Sequence, residues 1–335
     1  MVRRLVVVIA MFAVTFMVGE RIARAEAQEV KLATIAPADS AWGKVFKAWS
    51  KAVEEESNGA LKLTWYFNGT QGDEIAAVGK MRSKQIDGGA FTATGLSQIY
   101  PHIIALQMPG LFPNWAKLDT VRDKTKGKFE QAFAAQGFTI LGTGDVGIAH
   151  IMSRGKPVRV PDDLKTMHPF YLAGDSIGQK FLETVGVPSP KALSVPAILP
   201  ALSSRTEGSV DCINTPAIAA EQLQWAAHVD QINTMPSGIG IGALVMNKER
   251  YDGLPADAKA VMERTGKNTG KLLTERIRGI DASAFNRLKG SKTVVELNDA
   301  EKGAWNAMFA KVRNSLKAEG KVKADIFDEV TAAAQ

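Results

Sequence analysis

GIAHIMSRGKPVRVPDDLKTMHPFYLAGDS, residues 147–176, is the stretch on which the fold turns. Within it Val158-Arg159-Val160 reads as a short extended run, and Pro161-Asp162-Asp163-Leu164 as the start of a helical turn, with proline first and acids after it. Phe170-Tyr171-Leu172 is a second extended run. Asp175 or Ser176 then caps a helix over Ile177–Val185, whose Ile177, Phe181, Leu182 and Val185 recur at helical spacing. A strand set between helices belongs to a layered α/β architecture, and side chains at the end of such a strand face whatever the domain binds.

The alternation continues on both sides. Val30–Ile35 is an aliphatic strand ending at Ala36-Pro37, and Ser40 caps a helix carrying Trp42, Val45, Phe46, Trp49 and Val53 on one face. After Asn58-Gly59, Leu61, Leu63, Trp65 and Phe67 alternate with polar neighbours, the period of a strand with one buried face. Asp73 opens a helix to about Lys84, and Gly88–Thr94 is a small-residue strand of the kind that lets a ligand approach backbone. A helix over Asn114–Gln136 leads into a strand, Phe138–Leu141, followed by the glycine-rich Gly142–Gly147. Downstream, Pro188, Pro190, Pro196 and Pro200 interrupt the chain before a short helix and the run Gly208–Asn214, and Pro216 starts another helix. Gly238–Met246 is a glycine-interrupted strand, Asp257–Leu288 one long helix and Val294–Leu297 a last strand. The remainder reads as a pair of helices ending in a loose tail.

With 335 residues, 45% hydrophobic and 23% charged, the chain has the composition of a soluble globular protein long enough for two domains. Its first 25 residues differ: Arg3 and Arg4 precede the apolar run Leu5–Val18, and Ala23-Arg24-Ala25 supplies a small-x-small cleavage pattern. A secretory signal peptide is expected, because that 14-residue run falls short of the ~20 apolar residues a spanning helix needs. Removing Arg3, Arg4, Arg21, Arg24 and Glu20 with it lowers the net charge from +6 to +3, too mild a balance to imply nucleic acid.

Cys212 is the single cysteine, so no internal disulfide forms. The four histidines, His102, His150, His168 and His228, show no metal-ligand spacing, and no cofactor fingerprint is present; Gly238–Met246 is not followed by the helix start a dinucleotide site needs. Cys212 beside Asp211, with His150 or His168 as base, is the only constellation suggesting an enzyme, an exported hydrolase.

The landmarks together resemble the extracytoplasmic solute-binding proteins of tripartite ATP-independent periplasmic (TRAP) transporters, the DctP-like family. The pieces are Ala36-Pro37 with Ser40 and Gly43, Asn58-Gly59, Asn68-Gly69 with Gly72-Asp73, and Leu106–Phe112. Further on they are Pro157 with Pro161–Lys165, Ala201-Leu202 with Gly208 and Val210-Asp211, Val245-Met246-Asn247 and Leu254-Pro255. The resemblance implies a two-lobed periplasmic α/β fold with a ligand cleft between lobes and a long bracing helix. It implies lobe I over residues 26–148 plus 239–285 and lobe II over 149–238 plus 286–335, with the C-terminal helices packing across both. It also implies no catalysis, no cofactor and no metal, a small-molecule ligand, and delivery to TRAP membrane subunits; an accessory periplasmic protein is a further candidate partner. Two strand crossings, near Gly147–Met152 and Met235–Ile239, are where hinges would lie.

The chain departs from the family pattern where ligand charge would be met. Phe170 stands where relatives carry an arginine suited to bidentate carboxylate pairing, and Ala149 aligns with a second family arginine. The polar ligand contact falls on Thr215 or, with a one-residue shift, on Asn214. Without both cations a desolvated carboxylate is expensive to bury, so an apolar or largely neutral, lipid-like ligand is expected, flanked by Phe170, Tyr171, Ala149, Phe91, Thr92 and Trp42. The alternatives are a small organic acid met by relocated cations, with His168 or Arg205 as substitutes, and a Phe170 that packs in the lobe core.

Overall fold

The computed structural model describes residues 27–334; the expected signal peptide and its cleavage site near Ala25 lie outside the described residues. In chain order the elements are β1 (Gln28–Ala33), α1 (Ala41–Glu56), β2 (Leu61–Tyr66), α2 (Glu74–Arg82), β3 (Gly88–Thr92), α3 (Ala93–Ile99), α4 (Trp115–Ala135) and β4 (Phe138–Ser153). Next come β5 (Phe170–Leu172), α5 (Ser176–Val185), β6 (Lys191–Leu193), α6 (Val195–Ser203), β7 (Cys212–Pro216), α7 (Ala217–Gln222) and β8 (Gln231–Asn247). The chain closes with α8 (Lys248–Asp252), α9 (Ala256–Ser291), β9 (Thr293–Val295), α10 (Asp299–Ala318) and α11 (Ala324–Ala334).

Caps mark the helix starts as the sequence suggests. Ser40, Asp73 and Asp175 each accept a backbone N–H of the turn they open, satisfying donors that a helix N-terminus leaves without partners. The main sheet runs β2-β1-β3-β8-β4-β7, with β9 beside β8. Strands β2, β1 and β3 are parallel, as crossover helices α1 and α2 require, whereas β3–β8, β8–β4 and β4–β7 are antiparallel. A parallel pair, β5–β6, sits beside it.

Strands β4 and β8 are long enough to serve both lobes. Residues 138–145 of β4 pair with the end of β8 that also borders β3, while residues 149–153 pair with its beginning and with β7. The register slips between Asp145 and Gly147 and again around His150, where the sheet passes from one lobe to the other.

Helix α9 braces both lobes. Its buried residues, from Ala258 through Thr265, Gly270, Leu273 and Ile277 to Leu288, follow helical spacing along one continuous stripe. Thr265 Oγ1 accepts the Trp49 indole N–H at 2.9 Å, tying it to α1. The buried Asp281 carboxylate accepts Ile148 N–H at 2.8 Å and Ile218 N–H at 3.0 Å, tying it to the irregular part of β4 and the start of α7. Gly147, at φ +136°, is required there, since a Cβ would lie 2.5 Å from Pro216 Cβ and 2.9 Å from Asp281 Cγ.

Three local expectations change. Val158–Val160 joins no strand; Asp163 instead accepts the N–H groups of Arg159 and Val160. Gly142–Gly147 does not follow a strand but continues β4, because α9 lies too close for side chains there. Pro196 and Pro200 fall inside α6 rather than breaking the chain: Pro196 occupies its first turn, where the N–H has no helical acceptor, leaving only Pro200 to forfeit a bond. The expected pair of C-terminal helices is α10 and α11, the second held by buried Ile326, Phe327 and Val330.

Asp281→Leu leaves two backbone donors unsatisfied and is expected to lower unfolding stability by about 3 kcal/mol, with Asp281→Asn losing about half as much. Urea denaturation of the two variants measures this; midpoints equal to that of the parent would show that the contacts carry no weight.

Candidate functional site

Between the lobes lies a cavity of about 280 Å³. Its walls come from the β1–α1 connection, the start of α2, strand β3, the middle of β4 and β8, strand β5 with α5, and the β7–α7 corner. Strand alternation sorts β4: Ala149 and Ile151 line the cavity, whereas His150 turns to α9 and stacks on Phe285 at 4.1 Å.

Eight of the nine residues singled out in the sequence line this cavity: Phe170, Tyr171, Ala149, Phe91, Thr92, Trp42, Asn214 and Thr215. Phe170 both lines the cavity and packs in the lobe core, edge-on to Trp225 with centroids 6.2 Å apart. Asn214 and Thr215 both border it, but on β7 Asn214 lies opposite the cavity-lining Ile151 and Thr215 opposite His150, on the face turned to α9. His168 is not part of the lining. Its side chain is half exposed, its Nδ1 lies 3.1 Å from Asp211 Oδ2, and its backbone N–H donates to Asp211 Oδ1 at 2.7 Å. Arg205 is exposed in a left-handed turn and likewise stands outside.

Among the described residues lining the cavity, none is Lys, Arg or His. Three acids do line it, and each is already engaged. Glu74 accepts Thr92 N–H and Oγ1–H, both at 2.6 Å, and Gly95 N–H at 2.9 Å; burial pushes its carboxyl up while these bonds pull it down. Asp175 caps α5 through Ile177 N–H, and burial pushes it up too. Asp145 accepts from Arg122 on one oxygen and from Arg278 Nε at 2.6 Å on the other. Arg278 also makes a bidentate pair with Asp119 and lies over the Trp115 ring at 4.4 Å.

These acids, and Gln107 beside them, escape a reading of the sequence alone. Only Gln107 leaves a signal, an amide in the otherwise apolar run Ile103–Met108. Cys212 lines the cavity but is buried, and desolvation, with Asp211 adding repulsion, pushes its thiol up and away from the reactive thiolate. His150 and His168, its candidate bases, are committed to Asn233 and Asp211.

Comparison with known proteins places this geometry among relatives. Residues 32–319 match the sequence model of DctP, the bacterial extracellular solute-binding protein family 7. The C4-dicarboxylate-binding periplasmic protein DctP of Rhodobacter capsulatus is 23% identical over 305 residues, covering 88% of each chain. A TRAP periplasmic solute-binding protein of Ralstonia eutropha with bound (S)-2-acetolactate superposes with a TM-score of 0.83 at 20% identity, over 91% of this chain and 98% of that one. Another from a Sulfitobacter species, with bound β-D-galacturonate, gives 0.81 at 18% identity, over 92% and 99%.

His150 sets an acid limit on this architecture. Burial lowers its pKa from 6.5 to about 4, so the folded protein prefers the neutral ring and the unfolded chain takes up the proton first. The stability it secures is complete above pH 6.5 and is lost as pH falls toward 4, about 3 kcal/mol in all. His150→Phe keeps the stack on Phe285 without a titrating group, so its advantage over the parent should grow across that window in denaturation curves. Parallel curves would show that His150 does not titrate there.

Proposed function

We propose, from the premise that this chain belongs to the bacterial extracellular solute-binding proteins of family 7 (DctP), that it serves a TRAP-type uptake system by closing on one small molecule that is largely apolar and carries no net charge. Members of this periplasmic family bind solutes and are not enzymes, so the hydrolase reading of Cys212 falls.

The observation that carries the neutral-ligand reading is the wall itself, which holds no Lys, Arg or His among its described residues. The two arginines directly behind it are consumed by Asp145 and Asp119. A carboxylate entering this space would lose its water with no counter-charge to replace it.

A second reading has its own support. The comparisons favour a small organic acid over a neutral solute, because structures of the same fold hold (S)-2-acetolactate and β-D-galacturonate. With no cation on the wall, such an acid would be held by neutral donors alone, with Asn214 and Tyr171 as the contacts.

In either case the lobes, 26–148 plus 239–285 and 149–238 plus 286–335, hinge where the β4–β8 register slips, and export with cleavage near Ala25 precedes delivery to the membrane subunits. Mass spectrometry of ligand released on denaturation, with calorimetry on the ligand-free protein, separates the readings. A neutral, largely apolar molecule and heats insensitive to salt are expected, with Phe170→Arg weakening that ligand by burying an unpaired cation. Tight binding of a C4-dicarboxylate or sugar acid by the unmodified protein would establish the acid instead.

A further inference from the structure

Resting on the neutral-ligand reading and deepening it, we infer that the ligand carries a hydrogen-bond acceptor, a carbonyl, ester or ether oxygen on an apolar body, and that Gln107 and Trp42 donate to it. Gln107 ends the helical turn Pro101–Gln107 and lines the cavity. Its Oε1 accepts the Ile241 backbone N–H of β8 at 3.0 Å. A backbone N–H admits only an acceptor, so the amide oxygen is fixed there and the NH₂ group, which has no partner among the described residues, is left over as a pure donor. Trp42 lines the same cavity, and its Nε1–H is buried beneath that wall without a partner, so a ligand acceptor reaches it when the indole shifts toward the cavity. An indole N–H cannot accept, so it too calls for an acceptor.

The remaining wall chemistry points the same way. Ser237 Oγ lies 2.6 Å from Asn214 Oδ1 and 3.1 Å from the Ala149 carbonyl oxygen; its one proton serves only one of them, so Asn214 is not counted among the fixed donors. The wall carboxylates are engaged: Glu74 holds three donors, Asp145 two guanidinium groups, and Asp175 the N-terminus of α5. Three carboxyl groups border the cavity, yet an ammonium ligand would find none of them free, whereas an oxygen acceptor meets donors already oriented by the fold.

An ester and a carboxylate share this acceptor chemistry, and a set of probes on one ring separates them. Methyl cyclohexanecarboxylate, cyclohexanecarboxylate, methylcyclohexane and cyclohexylamine are titrated into the ligand-free protein, its Gln107→Glu variant and its Trp42→Phe variant. Gln107→Glu retains an oxygen for Ile241 N–H and replaces only the NH₂ group, so the fold contact survives. The ester is expected to bind the parent at least tenfold more tightly than methylcyclohexane or the amine. Gln107→Glu should weaken the ester about tenfold and leave methylcyclohexane within twofold, which also verifies that the cavity is intact; Trp42→Phe should act in the same direction. Methylcyclohexane matching the ester on the parent, an amine exceeding it, or an ester indifferent to Gln107→Glu overturns the donor assignment. A carboxylate that outbinds the ester and is weakened by Gln107→Glu leaves the donors standing and removes the neutral-ligand reading beneath them.

Discussion

Helix α9 meets strand β4 backbone to backbone, and the two-lobed arrangement depends on that approach. A Cβ on Gly142 would lie 2.3 Å from Gly266 O, and one on Gly270 would lie 2.5 Å from Thr143 O. No side chain separates helix from strand here, so any residue but glycine would push α9 away from the sheet. The close approach places Thr265 under Trp49 of α1 at one end and Asp281 under Ile148 and Ile218 at the other. One helix thereby spans the point where β4 and β8 change register.

The same approach determines the electrostatics of the cleft. It sets Arg278 against Asp145 and Asp119, and Arg122 completes a group of two arginines and two aspartates joining α4, β4 and α9. Asp145 is fully buried at the cavity wall, so its two guanidinium partners stabilise a charge that could not otherwise stay there. The group has no positive surplus to offer the cavity. A brace that holds the lobes together thus also leaves no unpaired guanidinium behind the Asp145 part of the wall.

Layer order, most helix caps, the long helix and eight of the residues that line the cavity were legible in the sequence, because each leaves a local trace: a capping residue, a period, a strand end. Phe170 and Ala149 became legible only against the family pattern, as positions where an expected charge is missing. What the sequence hid is non-local. Asp281 reads as one more acid on a polar helix until the fold brings two backbone N–H groups to it across 63 and 133 residues. Asp145 is likewise unremarkable until Arg278 arrives from α9. Pro200 misled for a different reason: a propensity that disfavours proline in a helix was overridden by packing of Ile198 and Leu202 on the apolar face of α6.

Contacts across the cleft are of a kind that a binding protein can break. Ala41 N–H, at the first position of α1, donates to Gln222 Oε1 at 2.8 Å at the end of α7. That N–H is one of the donors no helix satisfies internally, so parting the lobes returns it to water with little net loss, on the order of 1 kcal/mol. Elsewhere across the cleft Ile75, the large apolar side chain left 40% exposed, lies against Gly174, where a Cβ would come within 2.7 Å of Ile75 Cδ1. Both contacts are neutral, so neither holds the lobes shut against a strong Coulomb attraction. The deep ion group stays with α9 and β4, where it supports the frame.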